Sequence, residues 1–212
     1  MGDNKMRFKW TDAEITKALN KLVIVIDGRE QRANPYRKWF DVNGVEYIDN
    51  IKAKIKKAEG YFALETGDYS CMLPKGSIPG IDKDIWFDRD IIIEKKGSIK
   101  ELAGNLSKDK GARLKKEFSH INKYGTKVYI FMADALYYKH LAEGKEQHIG
   151  LWNKDTLRAQ INSLEAMYGT SVIPIADEFM AEEIYKKLYY HVRNILKREF
   201  YLEKFLGEVS CE

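Results

Sequence analysis

Five consecutive apolar residues, Leu22-Val23-Ile24-Val25-Ile26, closed by Asp27, constrain this chain more than any other feature. Four of the five are β-branched, which favours extended backbone over helix. A strand sends alternate side chains to opposite faces. Here both alternating sets are apolar, so both faces need cover. Such a strand belongs inside a sheet with helices packed on either side, which makes the chain α/β.

The rest of the sequence reads the same way. Thr11-Asp12-Ala13-Glu14 forms a capping box that opens a helix to about Lys21. Between Gln31 and Gly60 the pattern is ambiguous, but Ile48, Ile51, Ile55 and Ala58 recur at helical spacing. Tyr61 to Glu65 and Asp68 to Leu73 read as two strands joined at Thr66-Gly67, a hairpin signal. Pro74 to Asp84 reads as a loop, Trp86-Phe87 as a strand extension and Asp90 to Lys96 as a strand. Ser98 is placed to cap the next helix. Leu114, Phe118 and Ile121 form an apolar stripe, Lys127 to Met132 a strand, and Leu157, Ile161, Leu164 and Tyr168 a second stripe ended by Gly169. Ser171 to Ile175 is a short strand, and Ile184, Leu188, Val192 and Ile195 mark a long last helix. Strands alternating with helices give a central mixed sheet with helices on both faces. The expected organisation is a helical extension over 1–21, one domain over 22–198 and a tail over 199–212.

Composition narrows the function classes. The chain has 212 residues and is 44% hydrophobic, enough for a core and too much for wholesale disorder. Its longest apolar run, Val128 to Ala133, has six residues, against roughly 18 for a membrane span. No signal-peptide core opens it. Cys71 and Cys211 fit neither a disulfide framework nor a zinc motif, so a reducing, cytoplasmic setting is expected. Without a G-x-x-x-x-G-K-[ST] loop, no nucleotide cofactor is expected. His120, His140, His148 and His191 show no ligand spacing, and Tyr137-Tyr138 and Tyr189-Tyr190 read as core or interface before base-stacking residues. From Lys95 to Lys127 stand ten Lys and Arg against three acids, a net +7 in a chain of +4. That block is either a solvated helix face or a surface for a polyanion.

Chemistry concentrates in Asp90-Ile91-Ile92-Ile93-Glu94-Lys95-Lys96. Strand alternation puts Glu94 and Lys96 on one side. Asp68, after a glycine, supplies a second acid. Two carboxylates can hold a hard cation, which polarises a phosphoryl oxygen and acidifies a bound water. An adjacent lysine can position or deprotonate that water, or offset charge on the phosphorane. In a chain that is 32% charged, however, an Asp…Glu-x-Lys pattern is by itself more often a solvated ion pair at a strand end.

Order and context add to this pattern. Ile26-Asp27-Gly28-Arg29-Glu30 resembles the V-D-x-R-E signature that opens XPF/Hef-type structure-specific nuclease domains, members of the PD-(D/E)xK superfamily. Gly67-Asp68-Tyr69 resembles their G-D-Y/F turn, and Ile93-Glu94-Lys95-Lys96 their V-E-R-K strand. Asp109-Lys110-Gly111-Ala112-Arg113-Leu114 is similar to the segment that begins their next helix. The late helix, glycine and short strand from Leu157 to Ile175 follow in the same order.

The resemblance implies a restriction-endonuclease-like fold and a Mg2+- or Mn2+-dependent endonuclease acting on DNA, at forks, flaps or junctions. It implies Asp68 and Glu94 as principal metal ligands, Asp27 at the same sheet edge helping to bind the metal or its water shell, and Lys96 as the catalytic lysine. Glu30 is a secondary candidate beside Arg29. Arg29, Lys95, Lys110, Arg113 and Lys116 would face DNA. It further implies a homodimer through the helices at Asp155 to Tyr168 and Asp177 to Arg198. About fourteen residues follow Arg198, too few for a helix-hairpin-helix module. Three departures stand out. The family's last acid would fall at Lys100, with Glu101 one residue later as a substitute ligand. Its arginine is Lys95 here, which loses the bidentate fork. Glu117 stands where many members have glutamine. The rival expectation is a non-catalytic DNA-binding or dimerisation subunit, though such partners usually lose the acids. A third is a nuclease for RNA or linear ends.

Overall fold

A computed structural model describes residues 10–27, 30, 34–49, 64–134, 136, 148–149 and 152–198. The chain begins with α1 (Asp12–Leu19), β1 (Val23–Ile26), α2 (Asn34–Val42), β2 (Tyr47–Asp49) and β3 (Tyr69–Leu73). It continues with β4 (Ile85–Trp86), β5 (Ile91–Lys96), α3 (Ile99–Asn105), α4 (Lys108–Asn122) and β6 (Lys127–Met132). The last part holds β7 (His148–Ile149), β8 (Trp152–Asn153), α5 (Lys154–Tyr168), β9 (Ser171–Pro174) and α6 (Met180–Lys197).

Among the described residues the main sheet has seven strands, in the order β2-β1-β3-β5-β6-β9, with β4 also pairing β3. It is mixed. β1 runs parallel to β2 and antiparallel to β3, β3 is antiparallel to β5, and β5, β6 and β9 are parallel. All four residues of β1 are buried, as its two apolar faces require. Ile24 and Ile26 join Tyr69, Cys71, Ile91 and Ile93 on one face, under Ile184, Leu188 and Val192 of α6 and Ile15 and Leu19 of α1. Ile92, Val128 and Ile130 join the opposite face, under Leu102, Leu114, Phe118, Leu157 and Ile161. β5 therefore feeds both cores, and its alternation assigns a layer to each residue that follows.

Local signals act as read. Thr11 and Glu14 cap α1 reciprocally. Ser98 Oγ accepts the Glu101 N–H at the start of α3. Gly169 ends α5 at φ 59, a left-handed backbone that glycine adopts without steric cost. None of the helices among the described residues is long and apolar enough to cross a membrane.

Two expectations are corrected. Ile48 lies in β2, opposite Val25 of β1, because the sheet offers that short segment a parallel partner; Ile51, Ile55 and Ala58 lie outside the described residues. The hairpin does not form as read. Leu64 and Glu65 are not in a strand, and β3 takes its antiparallel partners from β1 and β5. Residues 61–63, Arg29, His140, Tyr137-Tyr138 and the tail over 199–212 fall outside the described residues.

Candidate active site

Three strands deliver acidic groups to one end of the sheet. β1 ends at Ile26, opposite Tyr69 of β3. The next residue, Asp27, keeps that alignment, its N–H donating to the Asp68 carbonyl at 2.8 Å. The Asp68 N–H donates to the Ile93 carbonyl at 3.0 Å, which ties it to β5. Its side chain turns to β5 as well: Oδ2 accepts the Lys95 N–H at 2.7 Å. A carboxylate thus takes the place of a backbone acceptor where the ladder ends. The preceding glycine makes this approach possible. Gly67 has φ +83, and a Cβ there would lie 1.9 Å from Ile92 Cγ2.

Glu94 and Lys96 share a side, as alternation requires. Lys96 Nζ donates to Glu94 Oε1 at 2.5 Å, and both side chains are largely buried. Asp68 feels this neighbourhood. Burial first, then the Glu94 charge, pushes its carboxyl up to about 7, against an ordinary 3.8, although the Lys95 N–H and the Lys96 ammonium pull the other way. For Lys96, burial disfavours the charge, but the Glu94 carboxylate and its hydrogen bond, helped by Asp68 and Glu101, outweigh it and raise the pKa. Lys96 is therefore an ammonium at neutral pH.

A cleft of about 290 Å³ opens over Glu94 and Lys96, walled by Asn105, Lys110, Arg113 and Glu117. α3 and α4 form this wall by close approach. A Cβ at Gly111 would stand 2.9 Å from the Leu106 carbonyl oxygen, so only glycine lets the two helices meet this closely. Arg113 Nε pairs with Glu117 Oε1 at 2.9 Å, one helical turn along.

The structure sorts the sequence candidates. Asp68, Glu94 and Lys96 are neighbours, and Lys110 and Arg113 line the cleft with Glu94 and Lys96. Asp27 adjoins Asp68 through the backbone and is buried. Among the described residues, however, no group of three His, Cys, Asp or Glu side chains could hold a metal. Glu30 contributes to the field at Asp68. Glu101 Oε2 accepts the Gly97 N–H at 2.8 Å, closing the start of α3. Lys116 is exposed on α4 outside the cleft. Lys95 is corrected. Alternation carries it into the other layer, where it is buried at 7% exposure with its ammonium 5.3 Å from the Tyr36 ring centroid, so its side chain is not offered to a phosphate backbone at the surface. Asn105 was not foreseen, because nothing in its local sequence marks a helix end that abuts a cleft.

A divalent cation fits the donor set in one respect that the structure shows. Asp68 and Glu94 are two carboxylates whose mutual repulsion raises a pKa, and a cation between like charges relieves that repulsion. Two protein carboxylates also suit magnesium, which keeps several waters and takes further oxygens from substrate phosphates.

No family model matches the chain, and no curated protein does either. Solved structures similar to this chain include two of XPF. XPF from Aeropyrum pernix superposes with a TM-score of 0.52 at 18% identity, over 90% of this chain and 75% of that one. The complex of XPF from Aeropyrum pernix with DNA gives a TM-score of 0.48 at 17% identity, over 88% and 82%. With its mixed sheet between helices and the first of these superpositions, the chain has the XPF-type nuclease fold.

Proposed function

We propose that this protein is a divalent-metal-dependent endonuclease that hydrolyses phosphodiester bonds in DNA, with branched DNA as its substrate. The observation that carries the reading is the meeting of Asp68, Glu94 and Lys96 at one rim, under a cleft walled by Lys110 and Arg113. Asp68 and Glu94 would hold the Mg2+ or Mn2+, with Asp27 adjoining. When bound, such a cation supplies Lewis-acid polarisation of the phosphoryl oxygen and a more acidic water.

The protein's own groups do the rest. The Lys95 N–H holds one Asp68 oxygen in place, and the second would serve the cation. The Lys96 ammonium, held at Glu94, donates toward an oxygen on which charge accumulates, where a fixed donor costs no reorganisation during reaction. Arg113 and Lys110 draw the phosphate backbone into the cleft. The preference for branched DNA and assembly as a homodimer through α5 and α6 rest on the sequence resemblance.

Incubation with labelled fork, flap, junction, duplex and RNA substrates in Mg2+, Mn2+ or EDTA tests the reading. Cleavage of branched DNA that needs metal and disappears in Glu94→Ala, with binding in EDTA retained, is expected. Binding without cleavage under every condition, unchanged by Glu94→Ala, would replace the enzyme with the non-catalytic subunit.

A further inference from the structure

The cleft at Glu94 and Lys96 occupies one end of α4; the other end carries a second hollow. Lys110, Arg113, Glu117, His120 and Tyr124 follow at intervals of three and four residues. That spacing places the first four on one stripe of α4, and Tyr124 stands in the turn just past its end, where its N–H donates to the Ile121 carbonyl at 3.0 Å. The first three wall the cleft, and the last two line the hollow together with Glu65, Asp88 and Arg89.

Tyr124 is 56% exposed. The Arg89 guanidinium lies 5.4 Å from its ring centroid, and the His120 ring meets it edge-on at 5.7 Å. Arg89 is anchored at its backbone, where its carbonyl accepts the Thr126 hydroxyl at 2.6 Å. His120 is held by Glu65 at 3.2 Å. An exposed ring with a guanidinium over one face and an imidazole near-perpendicular beside it, just past the end of a basic helix, is a surface of the kind on which nucleobases stack.

We infer that Arg89, His120 and Tyr124 form a stacking platform for an unpaired base of the same DNA strand whose phosphate enters the cleft. This rests on the nuclease reading and specifies its substrate. Bases in a duplex have both faces covered by neighbours, so the platform serves single-stranded DNA. The carboxylates of Glu65 and Asp88 disfavour a phosphate in the hollow and leave it to a base. Arg113 and Tyr124 are eleven residues apart, the first nine of them in α4 and the last two in the turn that ends it, roughly 16 Å at the helical rise. At about 3.4 Å per stacked nucleotide that is a span of some five nucleotides at most.

Binding is measured in EDTA by anisotropy, with a fork bearing unpaired arms and a blunt duplex of equal length. A 2-aminopurine in the arm reports stacking through its quenching. Tyr124→Ala should weaken fork binding about tenfold, leave duplex binding within about twofold and abolish the quenching. Tyr124→Phe should behave as the native protein. Equal losses on fork and duplex, or no loss on the fork, would overturn the platform. Cleavage by the native protein is scored separately. Tyr124-dependent fork binding without any metal-dependent cleavage would sink the nuclease reading and leave the platform, whereas metal-dependent cleavage by the native protein with fork binding indifferent to Tyr124 would do the reverse.

Discussion

Asp68 is held at a cost to stability, and the size of that cost follows from its surroundings. Burial and the Glu94 charge raise its carboxyl from 3.8 to about 7 in the folded protein. The unfolded chain keeps the ordinary value. Folding therefore favours the protonated acid. This contribution is fully present below pH 3.8 and is lost as pH rises through about 7. Each pH unit of displacement corresponds to about 1.4 kcal/mol, so the ionised site weakens the fold by about 2 to 4 kcal/mol, with Glu94 sharing the effect. Asp68→Asn removes the charge and keeps an oxygen for the Lys95 N–H. Urea unfolding in EDTA should show the variant more stable by about 2 to 4 kcal/mol at pH 8, with the gain vanishing near pH 3. Added Mg2+ should raise the native midpoint and leave the variant's nearly unchanged, since only a folded state that binds the ion gains from it. A variant no more stable than the native protein at pH 8, or equally stabilised at both pH values, would refute the charge account.

Two further substitutions probe how the site is built. Gly67→Ala should destabilise the fold by about 2 to 4 kcal/mol in denaturant titrations, because its methyl would meet Ile92 and its backbone would hold a positive φ. Arg113→Ala and Lys110→Ala should each weaken DNA binding uniformly across sequences and lower the slope of log K against log salt by about one. An unchanged slope would remove that residue from the phosphate path.

Much of this protein is local in its sequence. β1 announced a covered strand because both of its alternating sets are apolar, and all four residues are buried. Capping by Thr11 and Ser98 and the stop at Gly169 depend on neighbours within a turn, so a single chain states them plainly. Strand parity likewise set Glu94 and Lys96 side by side. The same parity sends Lys95 beneath the sheet to Tyr36, an outcome that charge alone concealed.

Partners distant in sequence were another matter. Ile48 has helical spacing with its neighbours, yet β1 takes it as a parallel strand. The sequence around β3 reads as a hairpin with the residues before it, but β1 and β5 supply its hydrogen bonds. The pairing of Arg89 with Tyr124 and the meeting of Asp68 with Glu94 join residues 35 and 26 positions apart. Amino-acid order determined which segments are strands, helices and caps, since those depend on side-chain alternation and on backbone groups a few residues away. Which strands lie adjacent, and which charges share a cleft, was decided only when burial brought remote surfaces together, because those free energies belong to pairs of segments and to neither segment alone.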